Sequence, residues 1–252
     1  MKRRQLCLFV ALGTVAAATA GAETLPVLIA RVKPSVVLVG SYGLLDSPKF
    51  TFHGTGFVVG DGLTVVTNAH VIPQPAEGRV DRSLAIQVWS QDGLWTSRSA
   101  KQVAGDPFRD LAVLQVDGPP IPALTLSSEP AREGASIALM GFPLGGALGF
   151  SHVTHRGIVA ALTTVAPVAS NFQSLNARAV RQLRQGSYDI LQLDATVYRG
   201  NSGGPVFDLA SGAVVGVVSM SLTKDTKEAG LNSPSGISYA IPAADVLQLL
   251  KH

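Results

Sequence analysis

The sequence predicts an all-β fold: two strand-built units in series, closed by a terminal helix. Three observations carry this reading. Short apolar runs rich in Val, Ile and Thr recur between Gly, Pro and Asp punctuation, the pattern of closely spaced strands in sandwiches or barrels. Helix signals are few. A proline-rich stretch, DGPPIPALTLSSEPARE at 117–133, reads as a linker dividing the strands into an earlier and a later set.

Residues 1–22 stand apart from this pattern. The basic start MKRRQ, the apolar run LCLFVALGTVAAA and the small residues Ala20, Gly21 and Ala22 have the layout of a secretory signal peptide, with cleavage expected after Ala22. The apolar run is shorter than the roughly 20 residues a membrane span needs, so no stable anchor is expected after cleavage; an uncleaved anchor is the alternative. Losing Lys2, Arg3 and Arg4 takes the formal net charge from +3 to zero, which leaves no charge-based reason to expect nucleic acid as a partner. Cleavage also removes Cys7, the only cysteine. An exported chain without cysteine must be held by its core alone, which suits a bacterial periplasmic or secreted protein.

The first unit, about 30–116, contains the runs SVVLVGSYG, GTGFVVGDG, LTVVTNAHV, LAIQVWS and DLAVLQV. The second, about 134–241, contains ASIALMG, VTHRGIVAAL, DILQLDA and GAVVGVVSMS. One helix is expected over 175–185, with Gly186 as its stop. Another is expected over 242–251, with Pro242 near its start. In the first of these helices Arg178, Arg181 and Arg184 share a face, read as solvated or, more sharply, as a docking or regulatory surface in an insertion at 163–187.

The segment GNSGGP at 200–205 concentrates backbone freedom around one hydroxyl. Turn chemistry alone accounts for such a run. A catalytic hydroxyl needs more: a base to take its proton and an acid to orient the base. His70, in VVTNAHV, directly follows one apolar strand, and Asp110, in RDLAVLQV, directly precedes another. Strand ends on a rigid sheet can present side chains to a cleft, and these two in the first unit with Ser202 in the second place a site between the units. Asp106 is the local rival of Asp110. His53 lies near the cleft with no assigned role, and His152 and His155 are expected at the surface. No metal-ligand spacing and no phosphate-binding loop is present, so no metal or cofactor is expected.

The blocks GTGFVV, VVTNAHV, DLAVLQV, GFPLG, GIVAAL, GNSGGPV and GISYAIP follow one another in that order. They resemble those of the trypsin-like serine proteases, and within these the bacterial HtrA (Deg) type, over roughly residues 32–250. The resemblance implies a chymotrypsin-like fold of two six-stranded β-barrels. It implies Ser202 as nucleophile, His70 as general base and then acid, and Asp110 as the group that holds the His70 tautomer. It further implies an oxyanion hole from the amides of Gly200 and Ser202. The resemblance also implies a substrate pocket at Thr196, Ser219, Met220, Ser221 and Ile237. None of these is acidic, so small or medium aliphatic side chains are expected before the cleaved bond rather than Lys or Arg.

Asn201 stands where trypsin-type zymogens carry an acid that pairs with a freed N-terminus, so activation by that route is not expected. Reordering of loops at the Arg199–Gly200 peptide or at 163–187 is the candidate switch. The chain ends directly after the terminal helix, where HtrA relatives continue into PDZ domains, so PDZ-based tethering and assembly are not expected. Oligomeric state stays open. The expected function is an exported serine endopeptidase acting on protein or peptide substrates, unfolded or damaged. The alternatives are a non-proteolytic binding or chaperone-like module on the same fold, and an acyl hydrolase; the G-x-S-x-G signature of α/β hydrolases is lacking.

Overall fold

The run Val36–Val39 shows why these apolar stretches become strands buried on both faces. Side chains alternate sides along a strand. Val37 and Val39 point into one apolar cluster with Val58, Val65, Ile86 and Leu114, while Val36 and Leu38 join another with Phe57, Met140, Phe207 and Ile241. The first cluster fills a barrel; the second lies between barrels. The computed structural model describes residues 23–73, 82–90, 92–145, 149–165, 187–220 and 236–251. The helix expected at 175–185 and most of the 163–187 insertion lie outside them, as do residues 1–22.

The first barrel comprises β1 (Val36–Gly43), β2 (Phe50–Val59), β3 (Thr64–Thr67), β4 (Arg82–Trp89), β5 (Trp95–Asp106) and β6 (Leu111–Val116), closed in the order β1-β2-β3-β6-β5-β4. The second comprises β7 (Ser136–Gly141), β8 (Val153–Val165), β9 (Tyr188–Asp194), β10 (Pro205–Asp208), β11 (Val214–Val218) and β12 (Ile237–Pro242), closed as β10-β11-β12-β9-β8-β7. Every pairing is antiparallel. Closure leaves neither sheet an unpaired edge. The fold is the chymotrypsin-like double barrel.

Residues 117–135 cross between the barrels and touch both. Leu124 bridges to Val59 of β2 and Leu126 bridges to Val214 of β11. The Leu124 amide donates to the Val58 carbonyl at 2.8 Å, and the Ser127 amide to the Val214 carbonyl at 2.8 Å. The cluster between the barrels takes residues from both, together with Leu124, so the seam is a continuous apolar core.

Among the described residues two α-helices flank the strands. The terminal one, α2 (Ala243–Leu249), buries Ala243 and Val246. The other, α1 (Leu25–Val32), is not among the sequence expectations. Pro26 sits in its first turn, where a missing N–H costs nothing, and Leu28 and Val32, one turn apart, are buried in the seam. Arg31 pairs with Glu23 at 2.8 Å and reaches the Gly212 carbonyl of the second barrel at 3.4 Å.

Candidate active site

Three connections converge where the barrels meet. His70 lies on a single 3₁₀ turn, Ala69–Val71, directly after β3. Asp110 closes the turn between β5 and β6. Ser202 lies in the loop from β9 to β10. The α-carbons of two glycines mark how tightly these segments meet. A Cβ on Gly203 would lie 3.2 Å from the Asn68 amide, and one on Gly54 would lie 3.0 Å from the Ser202 carbonyl oxygen and against Val71. Ser202 is thereby set beside the turn that carries His70.

Asp110 is bound to that turn through nearly every atom it can offer. Its Oδ2 accepts from His70 Nδ1 at 2.8 Å, and its Oδ1 accepts from the His70 amide at 3.0 Å. Its carbonyl accepts from the Ala69 amide at 3.1 Å and from Asn68 Nδ2 at 3.0 Å. With Nδ1 carrying the proton toward the carboxylate, Nε2 of His70 is left as the basic nitrogen. Burial alone would push the Asp110 carboxyl up. The hydrogen bond and charge of His70, joined by Ser219 and the His70 amide, outweigh it and hold the carboxyl below its ordinary value. Asp110 adopts φ +60°, a left-handed backbone uncommon outside glycine, at a cost on the order of 1–3 kcal/mol. Asp106 does not compete for His70. It accepts from the amides of Phe108 and Arg109 at 3.0 and 3.1 Å and pairs with Arg109 at 2.8 Å, shaping the turn that presents Asp110.

The Ser202 loop is held by backbone bonds on both sides. Asn201 N donates to Tyr198 O at 3.0 Å, Gly203 N to Val218 O at 2.9 Å and Gly204 N to Asn201 O at 2.9 Å. Gly203 sits at φ +84°, and a Cβ there would run into the Thr55 carbonyl. The Ser202 carbonyl accepts from the Thr55 amide at 2.9 Å, and its Oγ accepts from the Met220 amide at 3.4 Å. The Arg199 carbonyl accepts from the Leu144 amide at 2.7 Å, which turns the Gly200 amide of the same trans peptide the opposite way.

Sequence reasoning missed Thr55. This fully buried residue donates through Oγ1 to the Gly200 carbonyl at 2.6 Å and accepts there from the Phe142 amide at 3.3 Å. Its signal was its place in the block GTGFVV. Ser219, expected in the pocket wall, donates its hydroxyl to Asp110 Oδ2 at 2.7 Å. Thr196 and Met220 are half-buried, and Ile237, which pairs with Asp194 across β12 and β9, is 38% exposed. Ser221 lies outside the described residues.

Two histidines correct the expectation of surface positions. His152 is half-buried in an aromatic box: it stacks on Trp95 at 5.4 Å and lies 4.7 Å from Phe142 and 6.2 Å from Trp89, ring centre to ring centre. Its Nε2 bonds the Val36 carbonyl at 3.0 Å, and burial pushes its pKa down to about 4. The two tryptophans come from the other barrel's β4–β5 hairpin, which no local pattern around His152 reveals, while Phe142 directly follows β7 of its own barrel. His155 is also half-buried, 5.8 Å from the Tyr198 ring, with its Nε2 without a hydrogen-bond partner among the described residues and its pKa lowered by burial. His53 bonds the Ser41 hydroxyl at 3.1 Å. Among the described residues no cluster of His, Cys, Asp and Glu could hold a metal ion, and no helix is long and apolar enough to cross a membrane.

Double barrels with a histidine, a buried aspartate and a glycine-framed serine at their junction define a class, the two-barrel serine peptidases. The comparisons with known proteins fall within it. The model of the trypsin-like peptidase domain matches residues 54–217, and the chain belongs to that family. A probable periplasmic serine endoprotease of the DegP-like type from Halomonas elongata is 31% identical over 196 residues, which cover 77% of this chain and 35% of the relative. Human serine protease HTRA4 is 30% identical over 230 residues, 88% of this chain and 40% of that protein. The chain spans about a third of the length of the bacterial relatives it matches. Among solved structures, the inactive form of Rv3671c from Mycobacterium tuberculosis, a serine-to-alanine mutant, superposes with a TM-score of 0.59 at 25% identity, covering 89% of each chain. The serine endoprotease of Yersinia pestis superposes with a TM-score of 0.60 at 24% identity, covering 89% of this chain and 64% of that one, a likeness of fold.

Proposed function

We propose that this protein is an exported serine endopeptidase that cleaves protein or peptide substrates through an acyl-enzyme. The observation that carries the reading is the His70–Asp110 contact at 2.8 Å, set beside the Ser202 loop at the junction of the barrels. Family membership supports it, as do relatives named as periplasmic serine endoproteases.

In this mechanism Ser202 Oγ attacks the substrate carbonyl carbon while His70 Nε2 takes the hydroxyl proton. The imidazolium so formed is stabilised by the Asp110 carboxylate, which keeps its own charge. The carbonyl oxygen gains negative charge and receives the amides of Gly200 and Ser202, each such donor being worth about 2.7–4 kcal/mol. His70 then gives its proton to the leaving amine. Water enters, loses a proton to His70 and releases the acyl group, restoring Ser202. Thr196, Met220, Ser221 and Ile237 are assigned to the pocket for the side chain before the cleaved bond. None of these residues is acidic, so Lys and Arg would enter unpaired by them, and small or medium aliphatic side chains are preferred. Unfolded or damaged chains are the proposed substrates.

The test is a fluorophosphonate probe on residues 23–252, beside Ser202→Ala and His70→Ala, with the label located by peptide mass spectrometry. Labelling at Ser202 that requires His70 is the expected result. A folded protein left unlabelled, with and without unfolded protein added, would overturn the reading in favour of a binding module.

A further inference from the structure

The turn that presents Asp110 is gripped from the opposite barrel. Arg109, the residue before Asp110, gives Nη1 to Asp106 Oδ2 at 2.8 Å within its own turn. Its Nε faces Asp245 Oδ1 at 3.3 Å, an ionic contact without hydrogen-bond alignment. Asp245 sits in the first turn of α2, more than a hundred residues further along the chain. Beside this pair, Phe108 packs edge-on against Tyr188 of β9, ring centres 5.0 Å apart. Residues 108 and 109 are therefore both fastened to the second barrel, one by an aromatic contact and one by charge. The next residue is Asp110, at φ +60°. A non-glycine residue stays in that region only where its surroundings over-determine it. On the far side of Asp110 those surroundings are the His70 turn; on the near side they are Arg109.

We infer that Arg109 and Asp245 are a positioning pair that sets the Asp110 carboxylate against His70 and makes catalysis depend on the seating of the terminal helix. The inference rests on the serine-endopeptidase reading for its catalytic consequence. Neither residue touches substrate; both act through Asp110. The pair is partly shielded, with side-chain exposures of 31% and 19%, so its charge is screened less than that of a surface pair. It also carries a pH dependence. Burial pushes the Asp245 carboxyl up; Arg109 opposes this, while Asp106 from the same turn and Asp189 from β9 add to it. As pH falls, Asp245 is therefore neutralised earlier than an ordinary aspartate, the tether loses its charge, and Asp110 loses its near-side support.

The test uses the mature protein with Asp245→Asn, Arg109→Gln, their double variant and Arg109→Lys. Three readouts are taken: kcat and KM on a peptide substrate, the thermal midpoint, and the downfield proton resonance of His70 Nδ1–H, which reports the bond to Asp110 whether or not the protein turns over. The expected result is a fall in kcat of about tenfold in each single neutral variant, with KM within about twofold. The double variant should fall no further than the singles, since both break one contact. Arg109→Lys should recover part of the loss, and the Nδ1 resonance should broaden or move upfield in Asp245→Asn. In the wild type that resonance should change on acidification with a step that Asp245→Asn lacks. An unchanged resonance and a kcat within twofold of wild type in Asp245→Asn would overturn the inference. So would a lower thermal midpoint with the resonance unchanged, which is the mark of a merely structural pair. A wild type that shows the resonance but turns over no substrate would count against the endopeptidase reading, and the pair would then be judged on the resonance alone.

Discussion

Replacing Thr55 with Val tests whether one buried hydroxyl holds the loop that carries Ser202. The change keeps shape and removes only hydrogen bonding. It strands two groups at once: the Gly200 carbonyl, which now receives Oγ1 at 2.6 Å, and the Phe142 amide, which now donates to it at 3.3 Å. A buried polar group left without a partner costs about 1–3 kcal/mol. The longer bond is the weaker, so the pair sums to roughly 2–4 kcal/mol. In a domain of this size, each kcal/mol moves the thermal midpoint by about 2–4 °C, so the midpoint should fall by roughly 4–16 °C. The catalytic effect has its own ceiling. Thr55 orients the peptide next to the proposed oxyanion donor without being the donor, so the loss in kcat must be smaller than the roughly 10²–10³-fold that follows removal of a donor. A fall of about tenfold is expected, with KM little changed. The assays are thermal unfolding followed by circular dichroism, and initial rates on a peptide substrate. Thr55→Ser, which keeps the hydroxyl, should retain most of the activity. A Thr55→Val protein with a midpoint within 1 °C of wild type and kcat within twofold would refute the reasoning.

Three further substitutions probe the same junction. Ser219→Ala removes a charge-assisted bond to Asp110, and kcat/KM should fall about tenfold. Because Asp110 titrates below its ordinary value in the fold, its contribution to stability is present above the unfolded value and lost as pH falls through the folded one; Ser219→Ala raises the folded value and should shrink that contribution, seen in denaturant unfolding at a series of pH values. His152 titrates at about 4 in the fold against 6.5 unfolded, so the unfolded chain takes up its proton first. Stability should therefore decline by about 3 kcal/mol between pH 6.5 and 4 on this account alone, and His152→Phe should flatten that slope in the same unfolding series. Gly203→Ala places a Cβ against the Thr55 carbonyl and the Thr67 hydroxyl at φ +84°, and should yield insoluble protein or one with no cooperative thermal transition.

The fold class was legible because strands buried on both faces read as continuous apolar runs, as Val36–Val39 and Val214–Val218 do. The stretch 117–133 was read as a linker through its prolines, and residues 117–135 run from β6 to β7. The helix Leu25–Val32 was not legible: eight residues offer two turns of periodicity, and its start is marked by Pro26 and by Thr24 at the N-cap, whose side chain makes no capping bond. His70, Asp110 and Ser202 stood out because each sits at a strand end in a distinctive block. Thr55, and the pairing of Arg109 with Asp245, did not. Their partners lie at separations of 145 and more than a hundred residues, and a side chain that acts by bonding a distant carbonyl or carboxylate leaves no local pattern. His152 misled for the same reason, since its two tryptophan neighbours belong to the other barrel.

The linker invites a different kind of manipulation. Leu124 is stitched to the first barrel and Leu126 to the second, and the residues just beyond them, 128–130 and 132–134, face solvent. A cut in that exposed stretch would leave each half with its own complete set of six strands and with one side of the apolar seam. Two polypeptides made separately and mixed should then find each other through that seam. Ser202 would arrive on one and His70 on the other, so that recovered activity would count the reassembled molecules.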